Sequence, residues 1–322
     1  MPTMRFALAC LLAVALATVT AATPGAVTYF DVASGSHPHD VAAAPVRDGP
    51  VYFTAQMTGR LGILDPVTRR VMEIPLGAGS APHGVIVGPD GAPWITDGGL
   101  NAIVRVDPVT HAVSRWPLPA SAANANLNTA TFDREGRLWF TGQSGYYGRL
   151  DPASGDLQVW RAPGGTGPYG MTTTPAGDVW FASLAGNYIA RVDPKTGMAT
   201  VVRPPTAKQG ARRVWSDSKG AVWVSYWSTG HVGRYDPASR TWREWKLPGD
   251  ARAYAVWVAP DDSVWLSDWT ANAIVRFDPA TARFTAYPSD RDGANVRELQ
   301  GRAGETWAAE SGTDRLVRIA IR

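Results

Sequence analysis

The chain is poor in cysteine and in long apolar runs, and it has no basic cluster. Each shortage excludes a class of protein. Its one cysteine is Cys10, which leaves no pair for a disulfide and no cysteine metal site. Lysine and arginine number 31 against 28 aspartates and glutamates, a formal net charge of +3. Without a basic cluster this small excess does not predict nucleic-acid binding. No apolar run reaches the ~20 residues needed to cross a bilayer, so no membrane span is expected.

The first 22 residues have the pattern of a cleavable export signal. Arg5 supplies the charged start, Phe6 to Val19 the apolar run, and Thr20-Ala21-Ala22 the small residues before cleavage. We predict a signal peptide over residues 1–22, which would remove Cys10, and a periplasmic or secreted mature chain of residues 23–322. A membrane anchor is the main alternative, but the apolar run is short for one. A buried N-terminal helix is the other.

The mature chain consists of internal repeats, marked by an aromatic residue and an Asp-Pro pair. The aromatic recurs at intervals of 42, 45, 41, 43, 42 and 42 residues, at Tyr52, Trp94, Trp139, Trp180, Trp223, Trp265 and Trp307. The pair recurs in step at Asp65, Asp107, Asp151, Asp193, Asp236 and Asp278. Seven units in register predict one repeat domain rather than two separate domains.

Each unit carries four short β-like runs separated by turn residues, and nothing in the units has helical period. In the second unit the runs begin at Gly84, Trp94, Ala102 and Val113. Four short strands in about 42 residues are typical of a propeller blade, so we predict an all-β, seven-bladed β-propeller. The seventh unit lacks its outer strand. We expect the spare run at residues 26–30 to supply that strand and close the ring.

The repeat tryptophans are predicted to pack in the core between blades, with a carbohydrate-stacking platform as the alternative. An arginine also recurs two residues before each Asp position, as at Arg105 and Arg318. We interpret these arginines as pairing neighbouring blades.

The starts of the inner strands are the best place for a functional site, because that end of the channel gathers one residue from every blade. Counting back about eleven residues from each repeat aromatic, with a longer turn in the first unit, gives one polar or amphipathic residue per blade. These mouth residues are His39, His83, Asn128, Tyr169, Arg212, Tyr254 and Arg297. We expect the two histidines to be candidate catalytic bases and the other five to bind ligand.

The second strand of each blade returns to the same end of the channel. This places Asp97 near His83 and brings Glu310 to the side of the mouth that holds His39. The cluster of Asp97, Glu310 and the histidines could hold a hard divalent cation, with a histidine as general base. The alternative is a ring of solvated polar groups over a water-filled channel.

The repeats resemble the virginiamycin B lyase family of seven-bladed propellers. The resemblance rests on Pro82-His-Gly84, Pro168-Tyr-Gly170 and Leu138-Trp-Phe-Thr141, on the Asn-Ala-Ile stretches from Asn101 and Asn272, and on outer strands such as Glu73-Ile-Pro-Leu76. It implies an enzyme that opens a cyclic depsipeptide antibiotic at an ester by elimination, using Mg²⁺ and a histidine base. It also implies a site built mainly on the last two blades.

This chain departs from the family pattern at that site. By register, the family's histidine in the sixth blade falls on Tyr254, and its Glu-Pro-His in the seventh falls on Asn295, Val296 and Arg297. An arginine cannot accept a proton at neutral pH, so a lyase of this sequence would use His39 or His83 instead. Glu310 keeps a carboxylate near a matching metal position.

Three functions remain open from the sequence. One is a lyase of a cyclic ester or lactone, with Asp97 and Glu310 holding a metal and Arg212 or Arg297 stabilising negative charge. Another is a non-catalytic propeller that binds an anionic small molecule at the channel mouth. The last is a calcium-dependent lactonase of the gluconolactonase type, whose usual six blades argue against it. In each case we expect a monomer without a nucleic-acid partner.

Overall fold

The predicted β-propeller is present in the computed structural model, which describes residues 19–21 and 27–321. The first blade contains β3 (Pro38–Ala43), β4 (Val51–Ala55), β5 (Arg60–Leu64) and β6 (Val71–Pro75). The second contains β7 (Pro82–Val87), β8 (Pro93–Asp97), β9 (Ala102–Val106) and β10 (Val113–Pro117). The third contains β11 (Leu127–Phe132), β12 (Leu138–Gly142), β13 (Tyr146–Leu150) and β14 (Leu157–Arg161). A single turn of 3₁₀ helix, Ala120–Ala122, connects the second blade to the third.

The remaining blades follow the same plan. The fourth blade contains β15 (Pro168–Thr173), β16 (Val179–Ser183), β17 (Tyr188–Val192) and β18 (Ala199–Val202), and the fifth contains β19 (Ala211–Ser216), β20 (Val222–Tyr226), β21 (His231–Asp236) and β22 (Thr241–Lys246). The sixth contains β23 (Ala253–Val258), β24 (Val264–Asp268), β25 (Ala273–Asp278) and β26 (Arg283–Pro288). The seventh contains β27 (Val296–Leu299), β28 (Glu305–Glu310) and β29 (Arg315–Ala320), and its outer strand is β2 (Val27–Asp31). Each blade is an antiparallel sheet that runs outward from the channel.

The N-terminal strand closes the ring, as the sequence predicts. β2 pairs antiparallel with β29, with Val27 opposite Ile319 and Asp31 opposite Arg315. The buried ring of Phe30 packs against Trp307 at a centroid distance of 5.1 Å. On the inner side, β27 of the last blade contacts β3 of the first. Pairing β2 with β29 therefore removes two open sheet edges.

The repeat tryptophans form the core between blades, which confirms the structural interpretation. Trp94, Trp139, Trp180, Trp223, Trp265 and Trp307 are each at most 3 % exposed. Most of the recurring arginines bind within their own blade, although Arg149 donates to the carbonyl of Pro194 in the next blade at 2.9 Å. Arg105 binds Asp90 of its own blade at 2.7 Å and lies over the Trp94 ring at 6.0 Å. Stacking on an aromatic face keeps the arginine inside its blade, and the prediction of blade-to-blade pairing is wrong there.

The predicted export signal falls mostly outside the described residues. Of residues 1–22, only the backbone of β1 (Val19–Ala21) is described, and it pairs in parallel with β26. Cleavage of this segment stays a prediction. Within the described part of the chain, no helix has the length and apolar character needed to span a membrane.

Candidate functional site

The residues predicted for the channel mouth do come together there. Their rings and guanidinium groups form one connected set across the channel. The rings of His39 and His83 are in contact, with centroids 3.7 Å apart and planes tilted by 47°, and His83 lies edge-on to Tyr169 at 5.9 Å. Tyr169 and Tyr254 share a 2.7 Å hydrogen bond between their hydroxyls. Asn128 donates from Nδ2 to His83 Nε2 at 3.0 Å. Their roles in ligand binding and catalysis stay predictions.

A bulge lies at the start of every inner strand and, in four blades, sends a second residue into the channel. In each blade the register with the second strand slips by one residue, for example between Pro38 and Val41. A bulge breaks the strict in-and-out alternation of side chains. In four blades the residue after the mouth position therefore also faces the channel, where Arg213 contacts Asp40, Thr129 and Glu298. Three such ionisable residues, Asp40, Arg213 and Glu298, are not among the mouth residues that the repeat spacing predicts.

Hydroxyl groups on the second strands stabilise most of these bulges. Thr54 Oγ1 accepts the Asp40 N–H at 3.0 Å and donates to the carbonyl of His83 in the next blade at 2.8 Å. Ser225 repeats the pattern between Arg213 and Tyr254, at 3.1 and 2.9 Å. Each hydroxyl links the mouth of one blade to the mouth of the next.

The glycines of the Pro-x-Gly motifs make room in the crowded channel. A Cβ on Gly170 would lie 2.5 Å from the Cα of Arg213, and one on Gly84 would lie 2.4 Å from the carbonyl oxygen of Asn128. Neither backbone could tolerate a side chain at those distances. The motifs that carry the family resemblance thus have a packing role at the mouth.

His39 and Asp40 form a histidine–carboxylate dyad. His39 Nδ1 donates to Asp40 Oδ1 at 2.7 Å, which leaves Nε2 as the acceptor. Burial, followed by the charges of Arg297, Arg213 and Arg212, holds the pKa of His39 well below its usual 6.5. The imidazole is therefore neutral, which is the protonation state that a general base requires. Its Nε2 lone pair faces the Tyr254 hydroxyl and the Arg297 guanidinium, each at 3.4 Å.

His83 is also neutral. Burial and then the neighbouring His39 lower its pKa well below 6.5, although Asp40 acts in the opposite direction. Because the Asn128 amide donates to Nε2, the proton of His83 lies on Nδ1. That buried nitrogen has no hydrogen-bond partner among the described residues.

Two arginines lie beside the dyad and the tyrosine pair. The Arg297 guanidinium is 3.4 Å from His39 Nε2 and 3.5 Å from the Tyr254 hydroxyl. Arg212 donates to the Tyr169 hydroxyl at 2.7 Å and lies 3.6 Å above the Tyr254 ring centroid. Burial raises the pKa of Tyr254, but the surrounding arginines outweigh it and bring that pKa below 10. The positive field favours an anion at this position.

Beneath the dyad a buried ion triad crosses the channel. Arg213 binds both oxygens of Asp40 at 2.9 and 3.1 Å, and its other terminal nitrogen lies 2.5 Å from Glu298. Burial raises the pKa of Glu298 well above 4.5, opposed by Arg213. Asp40 and Glu298 also line a chamber of about 260 Å³ that extends along Thr129 and Gln300. The triad thus lies between the histidines and that chamber.

The two predicted metal carboxylates do not join the histidines. Asp97 accepts from the Ser80 hydroxyl at 2.5 Å and from the amides of Ala81 and Leu100 at 3.0 and 2.9 Å. Glu310 is bound by Arg315 Nη2 at 2.6 Å. Both carboxylates stabilise turns and strands of their own blades. The predicted cluster of Asp97 and Glu310 with the two histidines therefore does not form among the described residues.

The mouth is a poor fit for Mg²⁺, the ion implied by the family. Among the described residues, only His39, Asp40 and His83 bring three potential ligand atoms within 4.8 Å of one another. Mg²⁺ prefers oxygen ligands in an octahedron, whereas this set offers two imidazoles and a carboxylate already paired with Arg213. Arg212 and Arg297 add positive charge beside it. No step of a mechanism is therefore assigned to Mg²⁺.

Solved propellers match the chain over nearly its whole length. A streptogramin B lyase structure has a TM-score of 0.83 and 22% identity, covering 92% of this chain and 97% of that one. Virginiamycin B lyase from Staphylococcus aureus has a TM-score of 0.83 and 20% identity, covering 92% and 99%. A catalytically inactive variant of that enzyme, solved with quinupristin, matches equally well. At these identities the likeness shows the fold alone.

The sequence itself carries the family assignment. No curated protein is a significant match to the chain. The model of the virginiamycin B lyase family matches residues 13–251, about three quarters of the chain. The match includes the mouth residues of the first five blades, and Tyr254, Arg297 and Glu310 lie beyond its end. On the repeats, the seven-bladed fold and this match, the chain belongs to the virginiamycin B lyase family.

Proposed function

We propose that this chain is a carbon–oxygen lyase that opens a cyclic ester or depsipeptide by elimination, with His39 as the base. The proposal rests on the His39–Asp40 dyad, whose neutral imidazole turns Nε2 toward Tyr254 and Arg297. Asp40 holds the tautomer, as a carboxylate partner does in other histidine bases.

The elimination uses only residues of this chain. His39 Nε2 takes the proton next to the substrate carbonyl, and the C–H electron pair forms the new C=C bond as the ester C–O bond breaks. The ester oxygen leaves as a carboxylate, so the ring opens with no change in mass. Arg297, whose guanidinium lies 3.4 Å from Nε2, stabilises the developing enolate, and Arg212 binds the departing carboxylate. Fixed cations near developing negative charge are an effective form of catalysis.

This proposal is tested by incubating residues 23–322 with a panel of lactones and cyclic depsipeptides. The products are then separated by liquid chromatography and identified by tandem mass spectrometry, because a linear isomer differs from its cyclic substrate in retention and fragmentation. A linear product of unchanged mass should form, and His39→Gln should slow its formation by about 10²–10⁴-fold. The matched control is His231→Gln, because His231 lies on the third strand of blade five and, among the described residues, its imidazole bonds to Thr229 alone. No isobaric product from any substrate, or full turnover by His39→Gln, would contradict the proposal.

Streptogramin B should be a poor substrate in that panel. Arg297 and Tyr254 stand where the resemblance places histidines, and Asn295 replaces an acidic residue. Loss of a general base typically costs about 10²–10⁴-fold in rate. Rapid linearisation of streptogramin B would show that these substitutions do not impair the family reaction.

A second candidate is an anion-binding propeller without turnover. His39 is 2% exposed and Tyr254 is fully buried, while the arginines beside them are only half-buried. The cations are therefore the most reachable groups of the mouth. Ligand binding without a mass-neutral product in the same assay would favour this candidate.

A further inference from the structure

Blades five, six and seven place three arginines against two tryptophans at the channel mouth. We call Arg212, Arg252, Arg297, Trp227 and Trp269 the arginine–tryptophan platform. Arg212 and Arg252 lie over the Trp227 ring at 5.0 and 5.3 Å, and Arg297 lies over Trp269 at 5.3 Å. The two indoles meet edge to face at 5.3 Å. Arg252 is exposed and the other four are half-buried, so the platform is reachable from solvent.

The platform has positive charge without a matching negative charge. Within the part of the chain that the structure describes, none of the three arginines has a carboxylate oxygen within 4.0 Å. The Nε atoms of Arg212 and Arg297 are buried and have no hydrogen-bond partner there. The neighbouring Arg213 differs, since Asp40 and Glu298 neutralise it. The charge of the platform's three guanidinium groups is therefore uncompensated, and the exposed Arg252 and the half-buried Arg212 and Arg297 are the cations that a ligand can reach.

Stacking on an aromatic ring occupies the face of a guanidinium but not its edge, where Arg212 Nη2 donates to the Tyr169 hydroxyl at 2.7 Å. Arg212 lies 3.6 Å above the Tyr254 ring centroid, and Tyr254 in turn stacks on Trp269 at 5.0 Å with the planes only 8° apart. A guanidinium held in this way has a fixed orientation, and its remaining donor can bind a carboxylate oxygen. The adjoining indoles offer apolar surface for a ring on the same ligand.

From these observations we infer that the mouth binds an aromatic carboxylate directly on the arginine–tryptophan platform, without a metal ion. The inference rests on the proposed function only in placing the ligand at the same mouth. It specifies the ligand class: the ligand carries an oxyanion beside an aromatic group, and arginines supply the positive charge that the family is expected to take from Mg²⁺. Inorganic phosphate shares the oxyanion chemistry but lacks the ring.

Calorimetry with three probes tests the inference on the full mature segment in EDTA. Benzoate should bind, benzamide should bind at least about tenfold more weakly because it lacks the charge, and inorganic phosphate should be weaker than benzoate because it lacks the ring. Arg212→Gln and Arg297→Gln should each weaken benzoate by about tenfold or more. Circular dichroism of each variant checks that the fold is retained.

A matched control is available on the outer strand of blade five, the blade that carries Arg212. Arg243 is exposed and lies over Trp245 at 5.0 Å, away from the mouth. Arg243→Gln should leave benzoate affinity unchanged. Equal binding of benzoate and benzamide, equal loss in Arg243→Gln, tighter binding of phosphate, or loss of benzoate binding in EDTA would each overturn the inference. Calorimetry measures binding and mass spectrometry measures turnover, so the two proposals can fail independently. Benzoate binding with no linear product would support the platform and contradict the lyase.

Discussion

At the scale of single residues, the centre of the molecule depends on Arg213. Its guanidinium is 2% exposed and compensates Asp40 and Glu298 from two other blades. Burying charges is costly, and removing one member of such a group leaves its partners without compensation. The triad therefore constrains which single substitutions the channel can accept.

Arg213→Met should lower the free energy of unfolding by about 3–5 kcal/mol, because it leaves Asp40 and Glu298 buried without a cation. Urea unfolding followed by tryptophan fluorescence measures the change. Adding Asp40→Asn and Glu298→Gln to this variant removes the stranded carboxylates and should recover part of the loss. A single variant within about 0.5 kcal/mol of wild type would mean that the triad is not a stabilising unit.

The buried histidines predict a loss of stability in acid. The pKa values of His39 and His83 are both lowered in the folded state, so below pH about 6.5 the unfolded chain binds protons that the folded chain does not. The free energy of unfolding should be fully retained above that pH and should fall as the pH drops toward the folded values. His83→Gln should reduce the slope by up to ~1.4 kcal/mol per pH unit. Equal slopes for wild type and variant in urea titrations at several pH values would refute this.

The sequence predicts the mouth better than it predicts what the mouth contains. Repeat spacing alone finds His39, His83, Arg212 and Arg297, because propeller geometry fixes where inner strands begin. It misses Asp40, since a bulge breaks the alternation that would turn this residue away from the channel. One signal was available: an ionisable residue directly follows a mouth residue in three inner strands, an unusual choice for buried strands.

For Asp97 and Glu310, the sequence predicts the position of the carboxylate but not its hydrogen-bond partners. Asp97 and Glu310 do return to the predicted end of their blades, but position alone does not reveal whether a carboxylate is free. The Ser80 hydroxyl and two amides occupy Asp97, and Arg315 occupies Glu310. These contacts come from loop conformation, which the repeat pattern does not specify.

At the scale of strands, the bulges depend on the hydroxyls that stabilise them. Thr54→Val keeps the side-chain shape but leaves the Asp40 N–H and the His83 carbonyl without their buried partner. An unsatisfied buried polar group costs about 1–3 kcal/mol, so stability should fall by a few kcal/mol. The exposed Thr58 on the same blade provides the control. Thermal and urea unfolding should show no comparable loss for Thr58→Val, and equal effects of the two variants would contradict the proposed role.

At the scale of the whole molecule, the strand order makes the ring almost continuous through its ends. Val27 lies opposite Ile319 in the sheet, so a short turn could join the last strand to the first. The loop between β6 and β7 is exposed at Ala78 and Gly79 and offers a new opening.

A circular permutant that starts at Gly79 and joins Ile321 to Val27 should fold as a complete propeller. Its melting temperature should match or exceed that of wild type, because a short covalent turn makes pairing of β2 with β29 local in sequence. A permutant opened inside the buried β8 should fail to fold and serves as the control. A clear fall in melting temperature for the loop permutant would argue against β2 as the strand that seals the ring.

The buried triad also determines how a ligand can travel. Asp40, Arg213 and Glu298 are buried and join three blades across the axis, and Asp40 and Glu298 also line the chamber. We expect this triad to close the channel, so that a ligand entering at the mouth leaves by the same face. In the proposed lyase, the product would then leave and the next substrate enter through the same opening. Release of the newly formed anion from Arg212 and Arg297 would limit the rate of repeated turnover.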